Sequence, residues 1–210
     1  AYGYRRNYFL GKQLNSVMNY PLKDAIINYI ETKNCSNLKN TIFMLLDHYP
    51  KNVCDNLMNI LGTHDSSRIM SVINAFTNNE LEAESLLKIA TLLQFTCFGV
   101  PCIFYGDEQG LQGVNAPYCR VCMPTKNANI KLTNWYKFLG KLRTEKVFET
   151  GKLNVLVADN ELFGFERVDK KIKFIILTNC NLEKKHFTLQ HKFKNYETGK
   201  MDNNIVIIKP

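Results

Sequence analysis

"LMNILGTHDSSR", Leu57 to Arg68, is the stretch on which the fold turns. Leu57–Leu61 is apolar and strand-like, Gly62 and Thr63 end it, and His64, Asp65 and Arg68 follow at once. Packing calls for none of those three side chains at a strand's lip. Two readings are open. In one, Asp65 or Ser66 is an N-cap that accepts a backbone N–H from the next helix, and His64 is a satisfied core residue. In the other, the three stand at the carboxyl end of a parallel strand, where parallel barrels gather their active side chains. A carboxylate beside an imidazole and a guanidinium can grip vicinal hydroxyls and stabilise positive charge. That suits glycoside cleavage, whose transition state resembles an oxocarbenium ion.

Upstream, Ser16–Asn19 is a short β-prone run closed by Tyr20-Pro21, and "LKDAIINYIE" has helical spacing, with Pro21 suited to its first turn. A second helix is predicted over "NLKNTIFMLLDHY", with Leu38, Ile42, Leu45, Leu46 and Tyr49 on one face. Downstream, Ser66–Asn74 reads as a short helix. Glu80–Phe95 is the clearest helix, acidic at its start as the helix dipole favours, and Gly99 and Pro101 stop it. "CIFYG", Cys102–Gly106, is a nearly continuous apolar run and predicts a strand buried on both faces. A loop from Asp107 to Asn129 leads to another helix over Leu132–Phe148.

Strand and helix therefore alternate, which is the mark of a parallel α/β architecture. Three such strands are too few to close an eight-stranded barrel, which takes about 250 residues. Beyond Phe148–Gly151 the rhythm changes. "LNVLVAD", "LFGFERV", "KIKFIILTNC", "KHFTLQ" and "NIVIIKP" are short β-rich runs parted by turn residues, so a small antiparallel β domain is expected over 150–210, after an α/β domain over 1–149.

Composition narrows the function. The 210 residues are 45% hydrophobic and 22% charged, ordinary for a globular chain. No apolar run approaches the roughly 20 residues of a membrane helix, and the first residues lack a secretory signal's apolar stretch. The formal charge of +8 is spread evenly, with 16 Lys/Arg against 12 Asp/Glu in residues 1–150 and 11 against 7 beyond. A nucleic-acid face would cluster its cations and interleave aromatics, so no nucleic-acid partner is expected. Seven cysteines among apolar neighbours read as free thiols in a reducing, cytoplasmic compartment. Cys119 and Cys122 have the spacing of half a zinc site, yet no second pair completes it, and packing is the simpler role.

Four stretches, "NSVMNYPLKDAI", "NLMNILGTHDSSRI", "LLQFTCFGVPCIFYGDEQGLQG" and "APYCRVCMP", resemble in order and spacing the second half of an α-amylase-family glycoside hydrolase, nearest the neopullulanase and cyclomaltodextrinase branch. The tail resembles that family's C-terminal β domain by position and pattern. The resemblance implies the second half of a (β/α)8 TIM-type barrel, a retaining double displacement, and an α-linked glucan of malto-oligosaccharide, cyclodextrin or pullulan type as substrate. It makes Asp65 the third catalytic carboxylate, which stabilises the transition state. His64 becomes a binder of sugar hydroxyls, and Arg68 and Arg120 become substrate-binding. For Arg120 the plain alternative is a surface loop cation. Asp107 and Glu108 follow the last barrel strand and read as loop-ordering residues. No cofactor is implied; the calcium some members hold rests on segments absent here, and no metal site is identified in this chain.

The departures carry weight. Ala116 stands where the family usually has aspartate, Thr125 where it has tryptophan, and Cys122 where it has proline. Nothing here matches the family's nucleophilic aspartate, and its general-acid glutamate falls one position ahead of Ala1. The expectation is a piece of a larger enzyme, inactive alone, whose partner is the missing barrel half or a second copy of itself. The alternative is a non-catalytic, carbohydrate-binding or scaffold remnant of the same fold.

Overall fold

A computed structural model describes residues 6–9, 13–124, 129–170, 172–181 and 205–208. Helices α1 (Tyr20–Thr32), α2 (Ser36–His48) and α3 (Lys51–Cys54) lead to strand β1 (Met58–Asn59). Helices α4 (Ile69–Asn74) and α5 (Glu80–Thr96) lead to strand β2 (Val100–Pro101), and α6 (Ile130–Arg143) and α7 (Lys146–Thr150) follow. Strands β3 (Lys152–Asp159), β4 (Leu162–Asp169), β5 (Ile172–Asn179) and β6 (Ile205–Ile208) then form an antiparallel sheet in that order. "KHFTLQ", 185–190, lies outside the described residues.

The parallel part is short but strongly pinned. β1 pairs in parallel with β2, and Met18 bridges to Met58 on the other side. Two-residue strands offer few ladder bonds, and three buried side-chain amides supply more. Asn19 donates to Asn59 Oδ1 at 2.8 Å and its own Oδ1 accepts from Leu22 N, capping α1. Asn59 donates to the Phe98 carbonyl at 2.7 Å, while Gln94 donates to the Asn59 and Cys102 carbonyls at 3.0 and 2.9 Å. The chain crosses over β1 at Gly99, whose φ is +97°; a side chain there would meet the Leu57 carbonyl at 2.5 Å.

Helix α5 buries residues around most of its circumference, as a central helix must. One continuous core joins α1, α2, α5 and α6 to Phe163, Phe165, Phe174 and Ile176 of the sheet, while Leu162, Ile175 and Leu177 form a small cluster on the sheet's other face. Tyr29 ties the layers, donating to the Glu161 carbonyl at 2.6 Å.

Four expectations need correction. "CIFYG" is not a strand buried on both faces: β2 ends at Pro101, Ile103 and Tyr105 are exposed, and Phe104 turns onto Arg68. An apolar run does not say whether a second neighbour is present, and here β2 pairs with β1 alone among the described residues. The helix placed at Ser66 starts at Ile69, because Arg68 is extended and bonds the Gly113 carbonyl through its backbone N–H. The helix placed over Leu132–Phe148 breaks at Thr144-Glu145; Glu145 is extended, and Arg143 turns back to the carbonyls of Phe148, Phe95 and Gly99. Leu46 lies at the exposed edge of α2, apart from buried Leu38, Ile42 and Leu45. All seven cysteines are free: Cys35, Cys54, Cys97, Cys119 and Cys180 are buried and Cys122 is exposed. No helix among the described residues is long and apolar enough to cross a membrane.

Candidate active site

The chain leaves β1 at Asn59 and turns through Gly62 and Thr63, delivering Asp65 to the surface at the strand's carboxyl end. The Asp65 side chain is 64% exposed. His64 Nε2 stands 3.1 Å from its Oδ2, and Arg120 Nη2 donates to its Oδ1 at 3.3 Å. Thr63 supports the turn, its hydroxyl accepting from Asp65 N at 3.3 Å and lying 2.8 Å from Ser66 Oγ. The capping reading fails here. Arg68 occupies the N-cap of α4 without a side-chain cap bond, so Asp65 and Ser66 lie outside the helix.

Arg120 belongs to a 3-10 turn, Tyr118–Arg120, drawn against the Asp65 loop. Its Nε donates to the His64 carbonyl at 2.8 Å, and the thiol of Cys119 donates to the same oxygen at 3.2 Å. The preceding loop is stitched to the start of α4: Gly113 N donates to Ser71 Oγ at 2.8 Å and Asn115 N to Ser67 Oγ at 3.1 Å. In the sequence Cys119 reads as half a zinc site or a packing residue, not as a donor to this loop, and Thr63 has no role beyond ending the strand. The one signal for Cys119 was its place beside Arg120.

Arg68 differs from its expected role. Its side chain is fully buried, so it is not a surface for substrate. Nη1 donates to the Tyr105 carbonyl at 2.7 Å and to Asp107 Oδ1 at 3.1 Å, and Nε donates to the Cys119 carbonyl at 2.8 Å. The guanidinium lies against the rings of both Phe104 and Tyr105, at 4.5 and 4.8 Å from their centres. Asp107 stands as the counter-charge to this buried guanidinium. Burial pushes the Asp107 carboxyl up to about 7, against the pull of Arg68. Glu108 accepts from Gly106 N at 2.8 Å, so both acids of "YGDE" order the loop.

His64, Asp65 and Arg120 thus come together at the solvent-facing rim, and Arg68 lies beneath them. This arrangement can cradle a cationic, hydroxyl-rich ligand, with the carboxylate opposite its positive charge. A parallel strand pair packed among helices, with this cluster at its carboxyl lip, places the first part of the chain in the α/β class.

Residues 3–171 match the family described as "Alpha amylase, catalytic domain", and the chain belongs to the α-amylase family. It is 36% identical over 181 residues to a cyclomaltodextrinase of Geobacillus thermopakistaniensis, covering 82% of this chain and 29% of that protein. It is 31% identical over 179 residues to an amylopullulanase of Thermoanaerobacter thermohydrosulfuricus, covering 75% and 12% respectively. Among solved structures, the debranching enzyme of Nostoc punctiforme superposes with a TM-score of 0.78 at 25% identity, over 89% of this chain and 42% of that one. The chain therefore spans under a third of the length of the curated relatives it matches.

Proposed function

We propose that this chain is the C-terminal part of a glycoside hydrolase that cleaves α-linked glucans by retaining double displacement. In this reading, residues 1–149 form the second half of a (β/α)8 barrel and residues 150–210 a C-terminal β domain. Asp65 stabilises the oxocarbenium-like transition state, and His64 and Arg120 bind sugar hydroxyls beside it. The observation that carries the reading is the exposed Asp65 carboxylate at the end of β1, bracketed by His64 at 3.1 Å and Arg120 at 3.3 Å. The names of the relatives, cyclomaltodextrinase and amylopullulanase, support the substrate class.

Double displacement needs an acid and a nucleophile as well as a stabiliser. Of the family's three carboxylates only Asp65 has a match here, so the chain alone is inactive in this account. Val100 of β2, with Ile103 and Tyr105 just beyond it, leaves an apolar margin that a complementary set of parallel strands would cover. The partner proposed is the remainder of the barrel or a second copy of the chain, in a cytoplasmic setting that keeps the thiols reduced.

The test is hydrolysis of malto-oligosaccharide, cyclodextrin and pullulan by the product of the whole coding sequence, with the first-formed anomer followed by NMR. The expected result is cleavage of at least one of them with the α-anomer released first. No cleavage, or the β-anomer first, would overturn the proposal.

A further inference from the structure

Segments far apart in sequence meet beneath Asp65, and their contacts run in one order. Asp107 is 3% exposed and presses against the backbone at Gly62, where an added methyl would lie 2.3 Å from its Oδ2. Its Oδ1 accepts from Arg68 Nη1 at 3.1 Å, and Arg68 Nε holds the Cys119 carbonyl at 2.8 Å. Cys119 and Arg120 in turn hold the His64 carbonyl, and Arg120 reaches Asp65 Oδ1. Arg68 Nη2 is buried without a partner among the described residues. Its hydrogen bonds among the described residues therefore come from Nε and Nη1.

We propose that Asp107 is a positioning residue for Asp65, acting through Arg68 and the Tyr118–Arg120 turn to set where the Asp65 carboxylate and the Arg120 guanidinium stand against a bound sugar ring. The inference rests on the glycosidase reading above. A purely structural role accounts for the pair less well. Replacing a buried ion pair by apolar side chains of similar volume is often neutral or stabilising, so folding alone does not require it. What an apolar replacement cannot do is hold the Cys119 carbonyl and, through that turn, the site. A displacement of about 1 Å at a reacting centre costs on the order of a hundredfold in rate.

The experiment is steady-state kinetics of the full-length protein on a malto-oligosaccharide, with thermal unfolding alongside. Asp107→Asn is expected to lower kcat by about 10- to 100-fold while KM changes far less. The double variant Arg68→Met/Asp107→Leu is expected to unfold near the wild-type temperature and to keep the low kcat. If Asp107→Asn does not fold, the double variant carries the test. A third comparison reads the last link away from buried charge: Cys119→Ser, which keeps a donor to His64, retains more kcat than Cys119→Ala. Wild-type kcat in Asp107→Asn, in the folded double variant or in Cys119→Ala would overturn the inference. A wild-type protein that cleaves no glucan overturns the glycosidase reading itself, and the inference falls with it.

Discussion

Two fully buried arginines solve the same electrostatic problem in opposite ways. Arg68 has a carboxylate, Asp107, at 3.1 Å. Arg167 of β4 has none among the described residues: Nη1 donates to the Thr96 carbonyl at 2.8 Å, Nη2 to those of Phe148 and Gly151 at 3.0 Å each, and the guanidinium lies over the Phe148 ring. The carbonyl end of α5 takes the place of a counter-ion, because a helix C-terminus carries partial negative charge. Arg143 reaches the same helix end through Phe95 and Gly99. Burial lowers the Arg167 pKa only to about 10, so it stays charged at neutral pH. Arg167 fastens the antiparallel sheet to the helical layer, whereas Arg68 fastens two loops under the rim. One placement serves the fold and the other serves the site.

That contrast can be broken by experiment. Arg167→Met takes a donor from three carbonyls, of which Phe148 keeps Arg143, and is expected to destabilise by about 3–5 kcal/mol in denaturant unfolding. No second substitution should restore it, because no buried acid is left behind. Arg68→Met alone is expected to cost a similar amount, about 3–5 kcal/mol, by isolating Asp107. Asp107→Leu should recover most of that loss. A cost below about 1 kcal/mol for Arg167→Met would erase the distinction.

Gly62→Ala sharpens the Arg68 side of the comparison. Its methyl would lie 2.3 Å from Asp107 Oδ2, so Asp107 must shift, at an expected cost of about 1–3 kcal/mol by thermal unfolding.

The smallest effect belongs to an exposed pair, Lys33 Nζ and Glu82 Oε1 at 3.0 Å, which joins the end of α1 to the start of α5. Hydrogen bonds from Lys33 and Thr77 hold the Glu82 carboxyl below its usual 4.5. The folded pKa is thus depressed, so the stabilisation is present above about pH 4.5 and disappears as pH falls through the lowered value. Lys33→Met is expected to cost about 0.5 kcal/mol at neutral pH, screened by solvent, and nothing measurable in strong acid. Unfolding midpoints at both pH values check this.

Periodic elements were legible in the sequence, and elements made by long-range contacts were not. Helix α5 and strands β4 and β5 carry their own patterns in Glu80–Phe95 and in the alternation of Phe163, Phe165 and Phe174. The break at Thr144-Glu145 has no local mark, since it answers to carbonyls dozens of residues away that Arg143 reaches. Motif resemblance singles out His64, Asp65 and Arg120 one by one, and the fold brings Arg120 to Asp65 across 55 residues. The resemblance alone gives Arg68 a substrate-binding role, and nothing local to the motif marks it as buried. Its burial depends on Asp107, Phe104 and Tyr105 arriving from another strand end. The amide ladder Asn19–Asn59–Gln94 was equally silent, its members being ordinary polar residues until strands bring them together.

The measurement that bears most directly on the central claim is turnover of the full-length protein on a malto-oligosaccharide with Asp65→Asn. That change keeps shape and exposure but removes the negative charge facing the ligand. The expected result is a loss on the order of a thousandfold or more in kcat, about 4 kcal/mol of barrier, with folding unchanged. Turnover near the wild-type rate would contradict the account.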